Sequence, residues 1–152
     1  MHGGRGNLKK SGIINPHLCE AIASLGHTDS LTICDAGLPI PAGVRRIDVT
    51  VCRGVPTFEQ VLMAIAPELE VERVVMAEEA LKENPGVVDL VRRAYPRVNV
   101  EFVPHERFKK LVDQSKAVVR TAEFRPYSNV LLYSGVEGLF EDSAGETTTD
   151  GR

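Results

Sequence analysis

Thr57-Phe58-Glu59-Gln60-Val61-Leu62-Met63-Ala64-Ile65, followed after a short break by Arg73-Val74-Val75-Met76-Ala77, decides the fold class. Thr57 with Gln60 three residues on is the pattern of a capping box, in which each side chain takes the other's backbone N–H. Phe58, Val61, Leu62 and Ile65 then recur at the spacing of one helical face. The run 73–77 lacks that period and is short and apolar, as a strand covered on both faces needs to be. A helix leading into a buried strand is half of a βαβ unit.

The same alternation extends both ways along the chain. Toward the N-terminus, Asn15 before Pro16 predicts a helix start, because the Asn side chain accepts a backbone N–H and Pro fits the first helical position. Gly26 ends that helix, and residues 31–34 and 47–51 read as strands joined by a loop stiffened by Pro39 and Pro41. Toward the C-terminus, 87–95 is a helix with Val87, Leu90, Val91 and Ala94 on one side, 98–103 a strand, 105–114 a helix, and 117–120 and 130–133 closing strands. The expectation is an α/β fold with helices flanking a mostly parallel sheet of about six strands. Residues 9–140 are expected to form a single domain. Residues 1–8 and 141–152 are rich in Gly, Ser, Thr and charge, and read as a disordered extension and a disordered polar tail.

Composition removes several function classes. A chain of 152 residues suits one domain, and 43% hydrophobic residues are enough for a packed core. The net charge is -3, Lys and Arg are dispersed, and Trp is absent, which disfavours nucleic acid as a partner. Cys19, Cys34 and Cys52 are odd in number and form no C-x-x-C pair, so neither a disulfide framework nor a zinc knuckle is indicated. No apolar run approaches the ~20 residues that span a bilayer, and the first residues lack the apolar core of a signal peptide. A cytoplasmic location without membrane partners is expected. No G-x-G-x-x-G follows a strand, and there is no Walker loop and no H-x-x-x-H or H-E-x-x-H spacing, so no nucleotide, other cofactor or metal is called for.

In open sheets of this kind, ligands bind beyond the carboxyl ends of the strands. Asp35 directly follows 31–34 and opens the Gly/Pro turn Asp35-Ala36-Gly37-Leu38-Pro39-Ile40-Pro41, which suits gripping hydroxyls and suits satisfying turn amides equally well. His105 follows 98–103, with Lys109 one helical turn on. Tyr127, Ser128 and Asn129 offer a phenol, a hydroxyl and an amide in the loop before the last strand, the chemistry for holding a hydroxylated ring. His27 and Asp29 sit two apart in a tight loop, where the carboxylate could orient the imidazole or merely cap the turn.

The joint order of these residues resembles the D-ribose pyranase family of sugar mutarotases. The resemblance runs from Lys9 to Phe140 and is carried by Lys9-Lys10-Ser11-Gly12-Ile13-Ile14-Asn15, Leu25-Gly26-His27-Thr28-Asp29, Cys34-Asp35-Ala36-Gly37-Leu38-Pro39-Ile40-Pro41, Arg46-Ile47-Asp48, Gly54-Val55-Pro56, His105-Glu106-Arg107-Phe108-Lys109 and Pro126-Tyr127-Ser128-Asn129. It implies a three-layer α/β/α sandwich assembled into rings, commonly a homodecamer, with sites near subunit contacts. It implies His27 as proton donor, and Asp35, His105, Tyr127, Ser128 and Asn129 as sugar-binding positions, with Lys109 near the pocket. The extra residues 1–8 and the tail after Phe140 depart from the family pattern.

The implied activity is interconversion of the pyranose and furanose forms of D-ribose without a cofactor, supplying furanose to a ribose kinase. Ring opening needs a proton delivered to the ring oxygen and another removed from the anomeric hydroxyl. Imidazole, with a reference pKa of about 6.5, trades protons near neutrality. Asp35, His105 or a bound water remain open as the base. A fucose-type mutarotase and a non-catalytic sugar-binding protein are the alternatives.

Overall fold

The chain is described by a computed structural model over residues 8–136. The expected extension 1–8 (apart from its last residue) and tail 141–152 lie outside the described residues. Asn15 caps α1 (Pro16–Ser24) through its side chain, which accepts from the N–H groups of His17 and Leu18. At α2 (Phe58–Ile65) the capping box is formed: Thr57 Oγ1 accepts from Gln60 N at 3.1 Å, and Gln60 Oε1 accepts from Thr57 N at 2.9 Å. A 3-10 turn (Ala66–Glu68) follows α2, and the remaining α-helices among the described residues are α3 (Glu79–Glu83), α4 (Pro85–Ala94) and α5 (His105–Val112).

The strands are β1 (Ser30–Cys34), β2 (Arg45–Asp48), β3 (Val71–Ala77), β4 (Val100–Val103), β5 (Ala117–Arg120) and β6 (Val130–Ser134), and they form one sheet in the order β2-β5-β1-β6-β3-β4. Alternate residues face opposite layers. Leu31, Ile33, Val74, Met76, Val119 and Leu132 pack with Leu18, Phe58, Leu62 and Val91 of α1, α2 and α4. Cys34, Val75, Val118 and Leu131 face the other way, onto Phe108 and Val112 of α5. Three layers result, as the family resemblance implied.

The sheet is mixed, which corrects the expectation of a mostly parallel one. β1 with β5, β2 with β5 and β3 with β4 are parallel, whereas β6 is antiparallel to both β1 and β3. The cause is the connection before β6: residues 121–129 contain no helix, so the chain turns back instead of crossing over. β2 also lies earlier than the expected 47–51. It is an edge strand whose Arg45, Arg46 and Asp48 are exposed, so apolar runs could not mark it.

This topology positions the site. Ile33 of β1 pairs with Val130 of β6, so the loop entering β6 lies beside the exit of β1. The exits of β1, β3, β4 and β5 and the entry of β6 therefore share one end of the sheet.

Candidate active site

Asp35, at the exit of β1, is 9% exposed. Its Oδ1 accepts from Gly37 N at 3.1 Å and Leu38 N at 2.9 Å, so the carboxylate closes its own turn. Its backbone N–H donates to Asn129 Oδ1 at 2.8 Å. Burial pushes the Asp35 carboxyl above the usual range, and the bonds from Gly37, Leu38 and the Asn129 side chain only partly offset this. A carboxyl moved toward neutrality in this way is suited to exchanging a proton.

Across the cavity, the ring of His105 meets Tyr127 edge-on with centroids 5.2 Å apart and stacks on Phe108 at 6.3 Å. The backbone N–H of His105 is held by both carboxylate oxygens of Glu79, at 2.9 and 3.2 Å. Its Nδ1 is buried with no hydrogen-bond partner among the described residues. Asp35, His105, Tyr127 and Asn129 all line a single cavity of about 410 Å³, a volume suited to a small ligand.

Ser128 is placed differently. It is fully buried, outside the cavity wall, and its Oγ accepts from Asn84 Nδ2 at 3.1 Å. The same Nδ2 donates to Pro126 O at 3.0 Å. Lys109 lies in a neighbouring groove with Pro39, Ile40 and Pro41, where its Nζ pairs with Glu106 at 2.8 Å.

Two residues that sequence reasoning missed complete the cavity. Arg120 donates through Nε to Ala36 O at 3.1 Å and through Nη1 to Asp48 Oδ2 at 3.1 Å, pinning the turn after Asp35 to β2. Glu123 accepts from Phe58 N at 3.2 Å and from Arg125 Nε at 3.2 Å. Burial alone would raise the Glu123 carboxyl, but the bonds from Arg125 and from the Phe58 N–H outweigh it and hold the group below the usual range. Glu123 also takes the Ala36 N–H on its backbone oxygen at 2.8 Å. The signal for both was available: Arg120 ends β5 and Glu123 follows it, at the end of the sheet where ligands bind.

His27 stands elsewhere. It precedes β1, whereas Asp35 follows it, so the five residues of β1, roughly 16 Å of strand, separate the two within one chain. His27 Nε2 lies 3.0 Å from Glu72 Oε2 at the start of β3. Asp29 takes the Gly26 N–H on Oδ2 at 2.8 Å, as in the turn-capping alternative, and faces Lys116 Nζ at 3.9 Å.

A profile described as the RbsD / FucU transport protein family matches residues 8–137. The D-ribose pyranase of Haemophilus influenzae (strain ATCC 51907) is 50% identical over 137 residues, spanning 85% of this chain and 99% of the relative. The D-ribose pyranase of Geobacillus kaustophilus is 50% identical over 135 residues, spanning 89% and 99%. The solved structure of Bacillus subtilis RbsD complexed with D-ribose is 42% identical and superposes with a TM-score of 0.81, over 84% of this chain and 98% of that one. The fucose mutarotase of Streptococcus pneumoniae shares the fold, with a TM-score of 0.69 at 21% identity over 81% of this chain and 94% of that one.

Proposed function

The chain belongs to the RbsD / FucU transport protein family, and from that membership and the cavity at the strand exits we infer that it is a D-ribose pyranase. It is an isomerase that opens and recloses the ribose ring, exchanging the pyranose and furanose forms. The observation that carries this reading is the convergence of Asp35, His105, Tyr127 and Asn129 on one cavity, in a chain 42% identical to a protein solved with D-ribose. A ribose ring presents hydroxyls on every side, and this wall supplies a carboxylate, an imidazole, a phenol and an amide to meet them.

Ring opening is two proton transfers. Asp35, its carboxyl raised by burial, takes the proton of the anomeric hydroxyl as the bond to the ring oxygen breaks. The ring oxygen receives a proton from His27. Reclosure through a different hydroxyl changes the ring size, and neither electrons nor phosphate need be exchanged, so no cofactor is required.

One chain cannot present His27 to its own Asp35 across the length of β1. In our reading a second copy supplies the imidazole, and Glu72, 3.0 Å from His27 Nε2, orients it. The assembly we propose is the ring-built homodecamer of the family. Ser128 contributes through the backbone of its loop, its hydroxyl being committed to Asn84. Among the described residues no helix is long and apolar enough to cross a membrane. We place the enzyme in the cytoplasm, where it supplies furanose to a ribose kinase.

Exchange spectroscopy by NMR on D-ribose tests the reading. Wild type is expected to speed pyranose–furanose exchange well above the spontaneous rate. Binding of ribose with exchange left at the spontaneous rate would make this a sugar-binding protein without turnover.

A further inference from the structure

We propose that Asn84 is a positioning residue that fixes Tyr127 against His105 for sugar binding, an inference that rests on the active site proposed above. Tyr127 has a φ of 58°, in the left-handed region that side chains rarely enter because Cβ then crowds the backbone. A bulky residue stays there only where its surroundings impose the conformation.

Asn84 supplies that constraint from both sides. Its Nδ2 donates to the Pro126 carbonyl immediately before Tyr127 and to the Ser128 hydroxyl immediately after it, at 3.0 and 3.1 Å. One amide thus grips both ends of a single-residue twist. Asn84 is itself fixed, being 9% exposed with its Oδ1 accepting from Val87 N as the cap of α4. It does not line the cavity, so any effect on ribose passes through the loop it holds.

The other end of the same short helix grips the facing wall. Glu79 begins α3 and holds the His105 N–H, while Asn84 follows α3 and holds the Tyr127 loop. The edge-on meeting of His105 and Tyr127 at 5.2 Å is therefore referenced to one five-residue helix.

Asn84→Asp separates the two duties, because it keeps an oxygen to cap α4 and replaces the donor facing Pro126 O with an acceptor. The variant is expected to raise KM for D-ribose roughly tenfold, the worth of about one hydrogen bond, with a much smaller change in kcat. In a Tyr127→Ala background the same substitution should change KM by less than about twofold, since a residue acting only through Tyr127 has nothing left to act on. A crystal structure of Asn84→Asp should show Tyr127 out of the left-handed region and its ring withdrawn from His105.

An equal rise of KM in both backgrounds overturns the proposal, as does a variant in which Tyr127 keeps its φ and its contact. If Asn84→Asp fails to fold, Asn84→Ser, which still caps α4 but is too short to reach the loop, is read by the same measurements. Failure of both to fold would make Asn84 a structural residue and overturn the positioning role. A wild type that leaves ribose exchange at its spontaneous rate sinks the proposed activity instead, and the crystallographic position of Tyr127 then decides this inference alone.

Discussion

Asn129 Oδ1 accepts the backbone N–H of Asp35 at 2.8 Å, joining residues 94 apart in sequence at the point where β1 leaves the sheet and β6 enters it. Both residues are buried, so neither end of this bond has water as a substitute. The carboxylate and the amide on the cavity wall are thereby locked to one another.

Asn129→Ala should leave the Asp35 N–H buried and unpaired, at a cost of about 1–3 kcal/mol. Urea unfolding is expected to show a lower midpoint with an unchanged slope, and ribose exchange should fall together with it. A midpoint equal to that of wild type would mean that the bond contributes nothing.

Asp35→Asn tests the electrostatics of the same wall. Burial raises the Asp35 carboxyl, so folding favours its protonated form. That stabilisation is fully present below the ordinary aspartate pKa of about 3.9 and is lost as pH rises through the raised folded value. Asn offers the same acceptor to the Gly37 and Leu38 N–H groups without ionising. The variant should therefore melt above wild type near neutral pH, with the gap closing toward about pH 3, while ribose exchange is lost. Melting below wild type at neutral pH, with no difference in acid, would reverse the sign of the argument.

His27→Ala and Asp35→Asn should each lower the exchange rate by about 10²–10⁴-fold when assembled alone. Unfolded together and co-refolded in equal amounts, they should recover roughly a quarter of wild-type activity, because a head-to-tail contact pairs an intact His27 with an intact cavity in one site of four. Sedimentation of the mixture confirms that copies have associated. Exchange that stays at the level of the separate variants would return His27 and Asp35 to the same chain, or remove one of them from the reaction.

Much of this molecule was legible where local chemistry decides structure. The capping box at Thr57 and Gln60, the Asn15–Pro16 helix start and the apolar strands 31–34 and 117–120 needed only neighbours in sequence. Asp35 and His105 stood out as residues at strand exits and Tyr127 and Asn129 as the loop entering the last strand, the family resemblance assigned all four to sugar binding, and the fold brings them to one cavity. What escaped depends on distant pairing. The insertion of β6 between β1 and β3 leaves no mark in its own residues, and α3 is only five residues long with no side-chain cap. Glu72 became the partner of His27 only because β3 starts beside the loop entering β1. Ser128 carries the polarity of a ligand group, yet Asn84, 44 positions earlier, claims its hydroxyl.

β6 also governs how the chain can come together. It is the last strand in sequence but sits near the middle of the sheet, with β2-β5-β1 on one flank and β3-β4 on the other. Without Val130–Ser134 the inner edges of β1 and β3 would lack the strand they pair with, and such edges invite pairing with foreign strands. The strand that seals the sheet is the same one that carries residues 126–129 to the cavity. A chain cut short of β6 would therefore lose its grip on a sugar and expose its sticky borders together.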